Sequence, residues 1–99
     1  MKVGESIYCD GVRLAEVIYV SGFSMRDSKN PRFASADKAS QFSIILNRGI
    51  PRIDELDSHL WAVSDGNVTS AVKIIACHYD EVRTMMVVEV LPAHFDAHP

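Results

Sequence analysis

This 99-residue chain has little of what usually marks a catalytic or cofactor-binding protein. Its five glycines are scattered singly, so no glycine-rich loop is present that could cradle a phosphate. Its two cysteines, Cys9 and Cys77, form no CxxC motif, and we expect both to be buried thiols within strands. These features predict a protein that is not an enzyme and that holds no cofactor.

Long apolar runs and a strong charge of one sign are also missing. No stretch approaches the ~20 apolar residues that a membrane-crossing helix needs. The first residues lack the apolar region of a signal peptide, so we expect the chain to stay in the cytosol. A formal charge of −3 argues against general affinity for nucleic acids or for membrane surfaces.

What the chain does contain is a series of β-rich runs separated by short turn signals. Asp10-Gly11 and Asp65-Gly66 supply the positive φ angles that tight hairpins need. The flanking runs alternate partly between apolar and polar residues, as half-buried strands do. In the run 41–47 one face carries Phe42, Ile44 and Leu46.

Two strands depart from simple alternation. In the second arm of the first hairpin, Glu16 interrupts the expected inner face, so we predict a β-bulge or an open edge near it. The last strand, residues 83–91, is apolar on both faces, which is typical of a strand covered on both sides by its own chain or by a partner. The expected inner face of the interrupted arm consists of Val12, Leu14, Ile18 and Val20.

Residues 22–40 differ from the rest of the chain. They are rich in serine, contain Pro31 and carry a local charge of +2 within an acidic protein. Loops longer than ~12–15 residues are uncommon in compact domains and usually have a function or are disordered. We therefore predict a long loop that is the main protein-interaction element. The contact residues that we predict in it are Arg26, Lys29, Arg32, Phe33 and Lys38.

These signals together predict an all-β fold, a small and partly open antiparallel β-barrel or sandwich of five to six strands. The predicted domain covers residues 1–92, with the long loop at 22–40 and room for one short helix over 35–40. Residues 93–99 would form a flexible C-terminal tail.

The polar clusters do not predict a metal or acid–base site. Neighbouring residues such as Cys77 and His78 point to opposite faces of a regular strand, so we expect solvated or turn histidines at the four histidine positions. Three carboxylates follow Pro51 closely, in a turn where acids cap backbone N–H groups rather than form a catalytic pair. They are Asp54, Glu55 and Asp57.

An alternative function is nucleic-acid binding, because small barrels of this length can bind strands through exposed aromatic and basic side chains. The isoelectric point near 5.7 opposes this reading. A role as an accessory domain of an enzyme is the third hypothesis. The nucleic-acid candidates are Tyr8, Arg13, Tyr19, Lys29, Arg32, Phe33 and Lys38.

The order of the elements resembles that of the head–tail joining, or head-completion, proteins of lambda-like bacteriophages and of related connector β-barrels. The matching pattern covers roughly residues 6–91 and rests on element order and turn positions. Lambda-like members commonly have Gly-Asp at the entry to the central hairpin, where this chain has Leu56-Asp57. The matching segments are the strand 16–20, the long loop, the strand 40–46, the acidic turn 53–57, the Asp65-Gly66 turn, the strand 72–75 and the last strand.

The resemblance implies a non-enzymatic virion protein without a small-molecule substrate or a membrane partner. Such proteins assemble as a ring at the portal-proximal end of a filled head and offer the surface to which the tail attaches. The implied partners are head and connector proteins, tail proteins and further copies of this chain. The implied location is the host cytoplasm before assembly and the virion afterwards, with the long loop mobile until neighbours order it.

Overall fold

A closed β-barrel is the architecture of the chain in the computed structural model, which describes residues 1–24 and 40–91. Going round the barrel, the order is β1-β2-β3-β6-β5-β4, and each neighbouring pair is antiparallel. One turn of 3-10 helix, Leu56–Ser58, precedes β4. The strands are β1 (Ser6–Cys9), β2 (Val12–Ser24), β3 (Ser40–Leu46), β4 (Trp61–Ser64), β5 (Thr69–Tyr79) and β6 (Thr84–Val90).

The prediction of a small all-β barrel of five to six strands is confirmed, and the barrel is closed. The predicted loop is shorter at both ends, because residues 22–24 continue β2 and Ser40 begins β3. Residues 25–39 of the loop lie outside the described residues. So do nearly all of the helix predicted over 35–40 and the whole of the tail predicted over 93–99.

The tight turns follow from local side-chain chemistry. Asp10 and Gly11 both have positive φ, at 51° and 83°, as the predicted hairpin requires. Asp65 and Asp80 each accept two backbone N–H groups of their own turn through one carboxylate oxygen. These hydrogen bonds, first from Val68 to Asp65 and from Arg83 to Asp80, lower the pKa of both carboxyl groups.

Two bulges in β2 decide which of its side chains enter the barrel. Leu14 is the extra, unpaired residue in the register of β2 with β1, and Ile18 is the extra residue in the register of β2 with β3. Each extra residue shifts the following side chains to the other face. Ala15 and Val17 are therefore fully buried, so the bulge expected near Glu16 is confirmed on both sides of it. The inner face predicted from alternation is confirmed in part, since Leu14 and Val20 pack against the core. It is wrong for Val12, which is 62% exposed, and it omits the two fully buried residues between the bulges.

The polar groups freed by the first bulge are bound by the end of β3 and the residues after it. The Arg48 side chain donates two hydrogen bonds to the Leu14 carbonyl, at 2.9 Å and 2.6 Å. Asn47 accepts the Glu16 N–H through Oδ1 at 3.0 Å and donates its own N–H to the Glu16 carbonyl at 2.9 Å. The bulge in β2 therefore keeps these carbonyl and N–H groups hydrogen-bonded within the chain.

The core is formed by the inward faces of all six strands. The prediction for β3 is confirmed, since Ile44 and Leu46 are fully buried and Phe42 packs against the core. Both cysteines are unpaired and lie in strands as predicted, Cys9 buried and Cys77 half-buried. The remaining buried apolar residues are Ile7, Ala15, Val17, Ile50, Trp61, Val63, Val72, Ile74, Met86 and Val88.

Leu46→Ala is expected to lower the free energy of unfolding by about 2–5 kcal/mol, because it leaves a cavity among fully buried neighbours. The matched control is Leu60→Ala, at a leucine that is 80% exposed, where a change below about 0.5 kcal/mol is expected. Urea unfolding of the two variants and the parent protein measures both. Equal losses in the two variants would contradict the barrel register.

Candidate interaction surfaces

The five loop residues predicted to make protein contacts lie outside the described residues, so the structure gives no position for them. It does give the positions of the strand ends that flank their segment. Ser24 on β2 is paired with Ser40 on β3, and Ser40 is paired with Val90 on β6. The segment therefore begins and ends toward the barrel end that carries the Asp65-Gly66 turn. The five residues are Arg26, Lys29, Arg32, Phe33 and Lys38.

Exposed and half-buried apolar side chains form a continuous patch on the outside of β2, β3 and β6. Tyr19 is paired with Ile45, and Ile45 is paired with Met85, so one row crosses three adjacent strands. Tyr19 is 53% exposed and Met85 is 46% exposed. Directly opposite side chains in a sheet are in contact, so the row is one surface. We call the patch the outer β6 face, and its members are Tyr19, Ile45, Met85 and Val87.

The outer β6 face contains a shallow groove of about 270 Å³. Small side chains make the groove, because Ser43 on β3 is paired with Val87 and Val87 is paired with Ala76 on β5. Met85 and His78 stand beside it in the next row. A surface with an apolar rim and a small-residue floor can accept a protruding side chain of another protein.

A second and larger groove, of about 670 Å³, lies between residues 52–58 and the second half of β5. Its carboxylates Asp54, Glu55 and Asp57 are exposed, and its apolar lining includes Ile74 and Ile75. Arg52 is the one cation among the described residues that line it. We call it the acidic groove.

Tyr79 and Trp61 hold the segment that forms the acidic groove. The Tyr79 hydroxyl accepts the Ile53 N–H at 2.8 Å and donates to the Ile53 carbonyl at 3.0 Å. Trp61 Nε1 donates to the Leu56 carbonyl at 2.9 Å. The segment is therefore fixed to the barrel by two aromatic side chains that are themselves partly or wholly buried.

The capping role predicted for the three carboxylates is wrong. Asp54 pairs instead with Arg52 at 3.3 Å. Glu55 precedes the 3-10 turn in a left-handed conformation, with φ of 52°, and its side chain makes no cap hydrogen bond. Within the described residues, none of the three carboxylates accepts a backbone N–H, so their charges face solvent and the groove.

His59 and Asp10 form an ion pair that joins the first hairpin to the residues before β4. His59 Nδ1 lies 2.7 Å from Asp10 Oδ2, and its Nε2 lies 3.2 Å from the Asp54 carbonyl oxygen. The other Asp10 oxygen accepts the Leu60 N–H at 2.8 Å. The sequence alone does not reveal this pair, because the two residues are 49 positions apart and belong to no motif.

Ligand atoms of Cys9, Asp10 and His59 lie within 4.8 Å of one another, a spacing at which one metal ion could be considered. A tetrahedral zinc ion bound about 2.0–2.2 Å from a histidine nitrogen and a carboxylate oxygen keeps these two atoms more than about 3 Å apart. The 2.7 Å contact between His59 and Asp10 is a hydrogen-bond distance instead. Burial, followed by the charge of Asp10, raises the pKa of the Cys9 thiol, which disfavours the thiolate that a metal or a nucleophilic role requires. The arrangement fits an ion pair.

The nucleic-acid candidates within the described residues do not form one surface. Tyr8 is paired with Arg13 on the outside of β1 and β2, where Arg13 Nε donates to the Ser6 hydroxyl at 2.9 Å. Tyr19 is six residues further along β2, or about 20 Å at the usual rise of a strand. The other candidates, Lys29, Arg32, Phe33 and Lys38, lie in residues 25–39, for which the structure gives no description.

Comparison of the chain with protein-family models, with curated proteins and with solved structures finds no match. In residues 1–24 and 40–91, no helix has the length and hydropathy needed to cross a bilayer. The outer β6 face and the acidic groove are therefore the features of this chain that bear on its function.

The ion pair predicts a pH dependence of stability. The hydrogen bond to Asp10 raises the pKa of His59 above its ordinary 6.5, and the hydrogen bond from His59 lowers the pKa of Asp10 below 3.8. The contribution of His59 is fully present below pH 6.5 and is lost as the pH rises through its higher folded-state pKa. The contribution of Asp10 is present above pH 3.8 and is lost as the pH falls through its lower folded-state pKa.

We therefore expect His59→Gln to remove part of the fall in unfolding free energy that the parent protein shows above pH 6.5. Urea unfolding between pH 5 and pH 9 measures the difference between the two curves. The control is His78→Gln, at an exposed histidine of β5. A constant difference between His59→Gln and the parent across this range would contradict the assigned ion pair.

Proposed function

We propose that this chain is a structural protein of a phage or prophage that completes the head and joins it to the tail. In this proposal it acts through protein–protein contacts in a ring of subunits rather than through catalysis. The observation that carries the proposal is the outer β6 face, which leaves apolar side chains of adjacent strands in water. Covering apolar surface is favourable by about 25 cal/mol per Å², so a neighbouring subunit that seats on this face stabilises both copies.

A ring needs two different surfaces on each subunit, because its interfaces are heterologous. The outer β6 face and the acidic groove are two such surfaces, and they differ in chemistry. The first is apolar around Met85 and Val87, whereas the second is bordered by the carboxylates of Asp54, Glu55 and Asp57. The small barrel itself is compatible with a connector protein and equally with a nucleic-acid-binding protein.

The location of the long segment also supports an assembly role. The strand ends that flank residues 25–39 belong to β2 and β3, which are the strands that carry Tyr19 and Ile45. Ser24 lies five residues beyond Tyr19, or about 17 Å along the strand, so the segment offers a second contact region on the same two strands as the outer β6 face. In this proposal the contacts of the segment with further copies of this chain and with head, connector and tail proteins are made by Arg26, Lys29, Arg32, Phe33 and Lys38.

The test of the function is head–tail joining in vitro with filled heads that lack tails. Met85→Lys is expected to reduce the yield of infectious particles at least about tenfold, because it places a charge in the apolar contact. The matched control is Val68→Lys, at a residue that is 64% exposed in a turn away from the face. Urea unfolding of both variants checks that each remains folded.

A second variant tests the segment itself. Protein that lacks residues 25–36 is expected to fail in the same joining reaction. If the shortened protein joins heads to tails as well as the intact protein does, the assignment of the segment is wrong. If neither the intact protein nor any variant affects joining, the proposed function is wrong.

The alternative function has its own measurement. Salt-dependent binding to single-stranded DNA or RNA that is lost in the Arg32→Glu and Lys38→Glu variants would favour a nucleic-acid-binding barrel. Under the proposed function, binding to such strands is expected to stay at background at physiological salt.

A further inference from the structure

Among residues 1–24 and 40–91, the edge of β5 that borders the acidic groove has no strand partner over much of its length. On one side, β5 is paired with β4 only as far as Val72. On the other side, β5 is paired with β6 from Val72 to Tyr79. Within the described residues, no backbone hydrogen bond joins the second half of β5 to residues 52–58. An unpaired edge offers N–H and C=O groups to an extended chain that lies along it.

The chemistry of the groove defines what can occupy it. Its floor combines Ile74 and Ile75 with the half-buried Cys77 and Tyr79, so it accepts apolar side chains. Its rim carries three exposed carboxylates against one cation, Arg52, and that cation already contacts Asp54 and the Tyr79 ring. A fitting occupant is therefore an extended, basic segment with a few apolar side chains.

The chain itself contains a segment of this composition. Residues 25–39 include four of the ten basic residues and two of the thirteen acidic residues, which gives the segment a charge of +2. The rest of the chain therefore carries a charge of −5, which together with the +2 of the segment gives the net charge of −3. Met25 and Phe33 supply the apolar side chains. The positive charge of the chain is thus concentrated in a segment complementary to the acidic groove.

We propose that the acidic groove of one copy binds residues 25–39 of a second copy. The contact rests on the proposed function, since it would be the heterologous interface of the proposed ring. The strand ends that flank the segment are Ser24 and Ser40, which are paired with each other, and Ser40 is also paired with Val90. The groove lies elsewhere on the barrel, since it extends along β5 as far as Tyr79. A segment of a second copy can enter along the free edge of β5 without turning back along its own barrel.

The contact joins two unlike surfaces, so every copy keeps one groove and one segment available after the first contact forms. Such an interface repeats until the ring closes. The carboxylates on the rim are exposed, so their attraction for the segment is modest and screened by salt. The self-association is therefore expected to weaken as salt is raised.

The experiment is a charge swap in the full-length chain, read by sedimentation velocity at low salt over a range of concentrations. One variant reverses the rim with Asp54→Lys, Glu55→Lys and Asp57→Lys. The other reverses the segment with Arg26→Glu, Lys29→Glu, Arg32→Glu and Lys38→Glu. Each variant alone is expected to weaken self-association about tenfold or more, and an equimolar mixture of the two is expected to restore it.

A single-charge comparison keeps the result specific to the groove. Asp57→Lys is expected to weaken self-association severalfold, whereas Glu81→Lys, at an exposed residue of the turn after β5, is expected to leave it unchanged. Equal effects of these two variants, or a mixture of the two reversed proteins that stays dissociated, would overturn the proposal.

A peptide experiment removes the dependence on spontaneous assembly. A fluorescent peptide with the sequence of residues 25–39 is titrated into the segment-reversed protein, whose groove is intact, and anisotropy is recorded at low salt. Binding that falls about tenfold when Asp54, Glu55 and Asp57 are also reversed supports the proposal. Absence of binding, or binding that the groove reversal leaves unchanged, refutes it.

The two proposals fail in different ways. If the charge swap restores self-association but no variant alters head–tail joining, the contact exists and the proposed function is wrong. If joining requires residues 25–36 but the charge swap and the peptide show no contact with the groove, the segment acts on another protein and this inference is wrong.

Discussion

β2 pairs with two different strands in succession, and the closure of the barrel depends on the two bulges that allow it. Its first half is paired with β1 and its second half with β3. The bulge at Leu14 is stable because Arg48 binds the carbonyl that it exposes. Because Asn47 and Arg48 come directly after β3, the strand that β2 bends to meet also satisfies the polar groups at the bend. Without that match, closure would leave backbone groups unpaired.

The bulges also determine what the barrel shows to its surroundings. The bulge at Ile18 places Tyr19 outside, in register with Ile45 and Met85, while Val17 stays in the core. A further irregularity in β5 between Ile74 and Ala76 makes Ile75 an extra residue, which is 46% exposed. The outward position of Tyr19 on the outer β6 face and that of Ile75 in the acidic groove are therefore products of backbone irregularity, since regular alternation would place these side chains differently.

This dependence explains how much the sequence could predict. The Asp-Gly turns and the alternation in β3 are local signals, and both predictions were correct because nothing distant alters them. The burial of Ala15 and Val17 in β2 was not predicted, because a bulge changes the phase of the alternation without a mark of its own in the sequence. The pairing of His59 with Asp10 depends on barrel closure, which brings the first hairpin beside the residues before β4. Similarly, the role of Asp54, Glu55 and Asp57 in lining a groove emerges only once β5 continues beyond β4.

The two exposed surfaces would contribute differently to the proposed ring. Burial of the outer β6 face supplies affinity but little orientation, because apolar contact is non-directional. The rim of the acidic groove and the free edge of β5 supply orientation, since charges and backbone hydrogen bonds are satisfied only in particular registers. Neither surface alone would define a ring. Apolar contact through the outer β6 face without a fixed orientation would give irregular association. The exposed charge pairs of the acidic groove without apolar burial would give little stability. A closed barrel in which the register holds both surfaces in place would give the proposed ring its affinity and its orientation together.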